Sequence, residues 1–334
     1  MKKNHIWGLI ALSVLAAAAT AMYATLTLAE ASLSADALDH IVYIDRDDTA
    51  DSVKVKSDLG WRWDAYTTVL SYRPRTGRYR VPAGIKCLSL FRMLRNGTQE
   101  PLKLVVPSAR TMSHLASALS STLMLDSAEI ADALTDPTFC EQYGYTKETI
   151  PAMFVPNTYE VYWNCSIEQF MKRMQKEHDA YWTETRIAKA KACGLTPVEV
   201  ATLASIVDEE TANNGEKPMI AGLYLNRLRI GMLLQADPTV KFAMQDFALR
   251  RVLNVHLQTE SPYNTYRVKG LPPGPIRIPS IAGLEAVLNH AEHEYLYMCA
   301  KEDFSGTHNF ARNLSEHAAN ARRYINALNK RGIR

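Results

Sequence analysis

Cysteine is scarce in this chain, and the few that occur follow no pattern. Cys87, Cys140, Cys165, Cys193 and Cys299 are five among 334 residues, with no C-x-x-C pair and no metal-type spacing. An odd number cannot all pair within one chain, so small buried thiols are expected rather than a disulfide framework. No cysteine precedes Cys87, which excludes a lipid-modified N-terminal cysteine. Neither G-x-G-x-x-G nor a P-loop occurs, so nothing cradles a nucleotide phosphate. No H-E-x-x-H is present; His290-Ala-Glu-His293 reads instead as the end of a helix, where positive charge suits the dipole. The G-x-S-x-G elbow of a serine nucleophile is missing too. Charge of either sign is not in excess: 38 Lys and Arg against 35 Asp and Glu leave +3. That field is too weak to recruit a polyanion, and nucleic acid is not an expected partner. No metal and no cofactor is expected.

With 47% hydrophobic and 22% charged residues the chain belongs to the folded globular class. Its length suits about two domains. One long apolar run stands out. From Ile6 to Ala29 there is no charged side chain, and as a helix rising ~1.5 Å per residue the run can cross a hydrocarbon core of ~30 Å. Lys2 and Lys3 precede it, which keeps residues 1–5 cytoplasmic and sends the rest across the membrane. The competing reading is a cleaved leader, since Ala29-Glu30-Ala31 has the small-x-small form of a cleavage site. Leader cores usually run ~7–15 apolar residues, and this run is longer.

Downstream, His40 to Ile44 reads as a strand, followed by a helical segment ending near Gly60. Tyr79-Arg-Val81 alternates as a strand, Pro82-Ala-Gly84 turns, and Cys87, Leu90, Phe91 and Leu94 then fall at i, i+3, i+4, i+7 before Gly97. The pattern recurs: Leu102 to Val106 is strand-like, Pro107 breaks it, and Met112, Leu115, Ala116, Leu119 and Leu123 mark one helix face. These units predict a small α+β module over 40–125. A mixed α+β domain is expected over 126–330. Within it come short helices near Asp126 to Tyr145, a proline loop at Met153 to Tyr159, and a charged helical stretch from Ile167 to about Ala192 that stops at Gly194.

Thr196-Pro197-Val198-Glu199 announces a new helix, with Thr as N-cap, Pro in the first turn and Glu completing a capping box. At 100° per residue, Leu203, Ile206 and Val207 make an apolar stripe, and Glu210 falls on it while Asp208 and Glu209 point elsewhere. A carboxyl on an apolar face is desolvated, holds its proton to higher pH and can serve as a general acid. The alternative is a frayed helix end at which Glu210 meets solvent or an Arg. Ala221, Tyr224, Leu225 and Leu228 form the next helix face, ended by Gly231. Two loops follow. Leu234 to Val240 concentrates Gln235, Asp237 and Thr239 beside Pro238. Ser261 to Tyr266, carrying Tyr263, Asn264 and Tyr266, runs into Gly270-Leu-Pro-Pro-Gly-Pro-Ile276, where proline restricts the backbone. Such side chains suit the mixed apolar and hydroxylated faces of a sugar, or serve a purely structural loop.

Leu203-Ala-Ser-Ile-Val-Asp-Glu-Glu-Thr211, Leu225-Asn-Arg-Leu-Arg-Ile-Gly-Met232, Leu234 to Val240 and Ser261 to Ile276 together resemble the successive motifs of the MltG (YceG-like) endolytic murein transglycosylases. The likeness is strong from Pro151 to Lys330 and fainter before it. It implies a transmembrane anchor at 6–29, a LysM-like module at 40–125 and a transglycosylase domain at 126–330. The implied seat is the bacterial inner membrane, single-pass, with the catalytic domain on the periplasmic side. It also implies that Glu210 is the catalytic acid. Ordinary glycosidases use two carboxylates. A lytic transglycosylase is expected to use one Glu, which protonates the oxygen between N-acetylmuramic acid and N-acetylglucosamine and then accepts the C6 hydroxyl proton, leaving a 1,6-anhydro end. Gln235, Asp237, Thr239, Tyr263, Asn264 and Tyr266 are expected to bind the glycan, with Asp237 as an alternative second carboxylate. Two positions depart from the family pattern: Asp208 stands where Glu is common, and Asn157 where Asp is common. The expected partners are peptidoglycan strands, the membrane and cell-wall synthases. The rival reading is a non-catalytic peptidoglycan-binding or synthase-scaffolding protein.

Overall fold

A computed structural model describes residues 2–28, 39–57, 59, 61–69 and 71–332. The chain forms two compact units: Met1–Lys103 with Glu160–Cys165, and Leu104–Tyr159 with Ser166–Arg334.

The first unit contains helix α1 (Lys2–Leu28), strand β1 (His40–Ile44), α2 (Ala50–Lys56), α3 (Trp61–Val69), β2 (Gly77–Val81) and α4 (Cys87–Asn96). α1 covers the apolar run read from the sequence; Ala29 and the cleavage form after it lie outside the described residues. Among the described residues no single helix is long and apolar enough to cross a membrane; the apolar stretch Ile10–Tyr23 is shorter than that. β1 and β2 pair antiparallel with Val42 opposite Tyr79 and Ile44 opposite Gly77, so these residues share the buried face. Against it pack Trp63, Leu90, Phe91 and Leu94, and the Trp63 indole donates to Ala50 O at 2.9 Å. The four expected positions of α4 are all buried, and Gly97 closes the helix at φ +71°, a conformation in which a side chain is strained.

The remaining elements fall in the second unit, except for the first two residues of β3 (Leu102–Val106) and the last two of β4 (Asn157–Val161). β3 pairs with β4; between them run α5 (Met112–Ser120), α6 (Ser127–Thr135), α7 (Pro137–Glu141) and a 3₁₀ turn, Ile150–Met153. Then come α8 (Ile167–Tyr181), α9 (Glu184–Ala192), α10 (Pro197–Glu210), α11 (Lys217–Arg229), α12 (Asp237–Met244), α13 (Ile281–Leu288), β5 (Tyr297–Ala300), β6 (His308–Ala311) and α14 (Leu314–Lys330). The fold is a mixed α+β arrangement with three two-stranded sheets among the described residues.

α10 is its axis. Thr196 and Glu199 form the capping box read from the sequence, both reciprocal bonds present. Every residue from Val200 to Val207 is buried, so α10 is enclosed on all sides rather than along one stripe. α9, α11, α12 and α13 all pack on it. Ser205, at 0% exposure, accepts from Ile276 N at 3.0 Å and thereby hangs the proline-rich loop on the helix. In that loop a side chain at Gly274 would collide with the Glu148 carbonyl.

The chain after β3 is tied into the second unit: Ile278 N donates to Ala109 O at 2.8 Å, and the Ser108 hydroxyl donates to Ile278 O. Three local expectations change. The charged stretch from Ile167 is two helices, broken where Thr183 caps α9 through Arg186 N. Asn157 to Tyr159 is strand, not loop. Asp237 to Val240 is the first turn of α12, where Pro238 is tolerated because that N–H has no helical partner.

Candidate active site

Three consecutive acids end α10, and the fold treats each differently. Asp208 is 3% exposed and ion-paired to Lys217 Nζ at 2.7 Å; it also accepts from Ser280 N at 2.6 Å and Ser280 Oγ at 2.8 Å. Glu209 receives Arg110 in a fork, 2.7 and 2.9 Å, and Arg277 at 2.8 Å. Glu210 turns the other way. Its Oε1 accepts from the Tyr224 hydroxyl at 2.6 Å, and among the described residues no cation forms an ion pair with it. The reason is angular: successive helical residues lie 100° apart, so three acids in a row face three different surroundings.

Glu210 opens into a cavity of about 230 Å³ lined by Tyr224, Arg227, Gln235, Asp237, Tyr266 and His308, with Cys299 of β5 at its edge. Burial pushes its carboxyl above the ordinary glutamate range; the Tyr224 hydrogen bond and the nearby His308 and Arg227 pull it back, and Asp237 adds to the rise. The net direction is upward, as a general acid near neutral pH requires. Arg227 is itself buried, donating to Leu296 O and Leu234 O at 2.6 Å each, so its guanidinium binds the cavity walls together through backbone carbonyls. Desolvation lowers its pKa.

The opposite wall is built from the two loops singled out in the sequence. Gln235 sits at φ +49°, a left-handed backbone that costs a non-glycine residue about 1 kcal/mol and that recurs at functional sites. Its N–H donates to Thr265 O at 3.0 Å. The Tyr266 hydroxyl donates to Asp237 Oδ1 at 2.6 Å. Thr239 and Asn264, each 0% exposed, do not reach the cavity. Thr239 bonds Thr265 Oγ1 at 2.8 Å and Ala236 O, and the Asn264 amide donates to Leu257 O and Thr259 O. Their expected role as direct glycan contacts is therefore corrected: both spend their polar atoms stitching the loops together. Tyr263 packs against Phe242 with its ring tilted, ring centroids 4.7 Å apart, and lines a separate hollow with Arg110 and Gln245. Of the seven residues expected at the site, the cavity gathers Glu210, Gln235, Asp237 and Tyr266.

Sequence reasoning missed Tyr224, Arg227 and His308. Tyr224 reads in the sequence as an apolar face residue, although its spacing of three from Arg227 places both on one side of α11. A larger hollow of about 530 Å³, lined by Leu195, Leu228 and His290 among others, lies away from Glu210 and is lined by none of the expected residues. No group of three or more His, Cys, Asp or Glu among the described residues could hold a metal ion.

The YceG-like family model matches residues 46–323. The chain belongs to the YceG-like family. It is 28% identical over 300 residues to the endolytic murein transglycosylase of Bacillus subtilis, covering 84% of this chain and 82% of that one. It is 26% identical over 288 residues to the endolytic murein transglycosylase of Streptococcus pneumoniae, covering 76% of this chain and 51% of that longer protein. A crystal structure of a YceG-like protein from Listeria monocytogenes shares the fold at TM-score 0.56 and 24% identity, covering 84% of this chain and 98% of that one.

Tyr224→Phe tests the acid's setting in this YceG-like chain. Losing the hydroxyl removes a bond that favours the charged carboxylate, so the Glu210 pKa rises further. The alkaline limb of kcat against pH is expected to move to higher pH, with the rate changing by about tenfold at most.

Proposed function

We propose that this protein is a peptidoglycan lytic transglycosylase that cuts the glycan between N-acetylmuramic acid and N-acetylglucosamine and leaves a 1,6-anhydro-muramoyl end. The observation that carries this reading is the Glu210 carboxyl, which alone of the three acids ending α10 meets no cation among the described residues and opens into a cavity with hydroxyl, amide and carboxylate groups. Glu210 gives its proton to the glycosidic oxygen, the C1–O bond breaks, and the muramoyl C6 hydroxyl closes on C1. Gln235, Asp237 and Tyr266 hold the sugar; Thr239 and Asn264 position the loops that carry them. The names of the Bacillus and Streptococcus relatives support the same reaction.

The chain is read as anchored in the bacterial inner membrane by residues 6–29, with the enzyme on the periplasmic side, where its substrate lies. Lys2 and Lys3 before the apolar run and the exposed Trp7, Leu12, Leu15 and Met22 of α1 support this. The strand and helix module after residue 40 is read as LysM-like and as an aid to glycan retention, and residues from 126 on as the catalytic domain. Anchored there, the enzyme can trim or terminate strands as cell-wall synthases extend them. The test is direct: full-length protein in detergent is incubated with isolated peptidoglycan and the new ends are analysed by mass spectrometry. Anhydro-muropeptides are expected; reducing ends alone would mean hydrolysis, and no new ends would mean binding without catalysis.

A further inference from the structure

Two smaller hollows lie beside the Glu210 cavity along α12. That helix sends Asp237 into the cavity, and Pro238, Lys241 and Phe242 into a hollow of about 40 Å³ that Arg110 and Phe247 also line. Gln245, the C-cap of α12, reaches a second hollow of about 200 Å³, which again has Arg110 and Phe242 in its wall and adds Tyr263. Because the two hollows share walls, they make one trough. Lys241 stands four residues after Asp237 and three after Pro238, so it follows the edge of the cavity one helical turn on, a rise of ~6 Å. An aromatic floor runs through the trough: the Phe247 centroid lies 6.3 Å from that of Phe242, and Phe242 4.7 Å from Tyr263.

The charges along the trough do not cancel. Glu209 is taken by Arg110 and Arg277, and Glu148 has Lys147 at 3.8 Å. Lys241 is left over: among the described residues its ammonium has neither an ion pair nor a hydrogen bond. A cation without a counter-ion beside aromatic rings suits a ligand that is anionic at one point and apolar around it. In a stem-bearing peptidoglycan strand the sugars are uncharged, and the carboxylates sit on the short peptides amide-linked to the lactyl group of each muramoyl unit. The rings would accept a sugar or a peptide equally well, so the charge decides. We propose that the trough of Lys241, Phe242, Phe247 and Tyr263 binds the peptide stem of the muramoyl unit at the cleaved bond, Lys241 taking a stem carboxylate and the rings packing on its short apolar side chains. This rests on the reading of the chain as a murein transglycosylase and names the part of the substrate that the site selects. Tyr263, which stands apart from the Glu210 cavity, thereby acts on the same substrate.

The test is binding by the full-length protein carrying Glu210→Gln, which keeps the ligand whole. Calorimetry compares three soluble tetrasaccharide fragments of peptidoglycan: one with intact stems, one with the stem carboxylates converted to methyl amides, and one stripped of stems by an amidase, whose carboxylate lies on the lactyl group. The intact fragment is expected to bind about tenfold more tightly than either of the others. Adding Lys241→Gln is expected to erase the difference between intact and amidated stems, and Lys241→Arg to keep it, since the charge is what the carboxylate meets. Equal binding of the three fragments, a preference that survives Lys241→Gln, or one that Lys241→Arg fails to keep overturns the proposal. Cleavage is read separately on the parent chain. If no fragment yields anhydro ends, the enzyme reading falls while the binding comparison still decides the stem site; if ends form but the fragments bind alike, only the stem site falls.

Discussion

Glu210→Gln is expected to abolish anhydro-muropeptide formation, a loss of roughly 10³-fold or more in kcat, since the amide keeps the shape of the acid and lacks its proton. The same variant carries a second, opposite signature. Burial favours the protonated form of Glu210, so its folded-state pKa lies above the unfolded value. Stability associated with that group is present below the unfolded pKa and is lost as pH rises through the raised one. Glutamine does not ionise and escapes this loss. The inactive variant is therefore expected to melt at a higher temperature than the parent at about pH 8, with the difference shrinking toward about pH 4. Thermal melts at the two pH values check it; a variant that is less stable at both would show that the carboxylate is held by something other than the Tyr224 bond.

Lys217→Met is expected to be the most damaging change away from the cavity. Lys217 and Asp208 are 7% and 3% exposed, and the methionine would leave Asp208 buried without its cation. Breaking a buried pair from one side costs about 3–5 kcal/mol. The site cannot collapse around the loss, because Gly283 lies so close that even a β-carbon there would come within 2.6 Å of Asp208 Oδ1. A urea titration should show the unfolding free energy falling by that amount, with the midpoint moving to lower urea accordingly. A double variant, Lys217→Met with Asp208→Leu, is expected to regain much of it, since an apolar pair of similar volume needs no charge balance.

Much of the architecture was readable because it rests on local rules. The α10 capping box, the i, i+3, i+4, i+7 face of α4 and the Leu102–Val106 strand all follow from spacing and side-chain chemistry within one element. What escaped depends on distance in the chain. β5, β6 and α14 lack a sharp local signal, and the pairing of Tyr297 with Ala311 is set by packing. The proline at 238 suggested a loop, though a first helical turn accepts it equally well. Glu210 could be placed on the correct side of its helix, but sequence could not say that Glu209 would be met by Arg110 from 99 residues earlier and Arg277 from 68 later. Thr239 and Asn264 misled for a related reason: polar residues in a loop look the same whether they bind a ligand or the loop itself. His308 sits 98 residues beyond Glu210, counting 308 − 210, and no periodicity links them.

The bonds that run from α10 to residues 276–280 hold still the helix that carries Glu210. Ser205 holds Ile276, Asp208 holds Ser280, and Glu209 holds Arg277, which also grips Ser108. The helix that presents the acid is thus riveted on the faces turned away from the cavity. The cavity wall formed by Met298 to Ala300 belongs instead to a short hairpin whose strand Tyr297–Ala300 is partly exposed throughout. Polymer chains of varying decoration would be admitted by yielding on that side alone, so amide hydrogens of 297–300 should exchange with solvent well before those of 203–207, and threading a strand should slow the former while leaving the latter untouched.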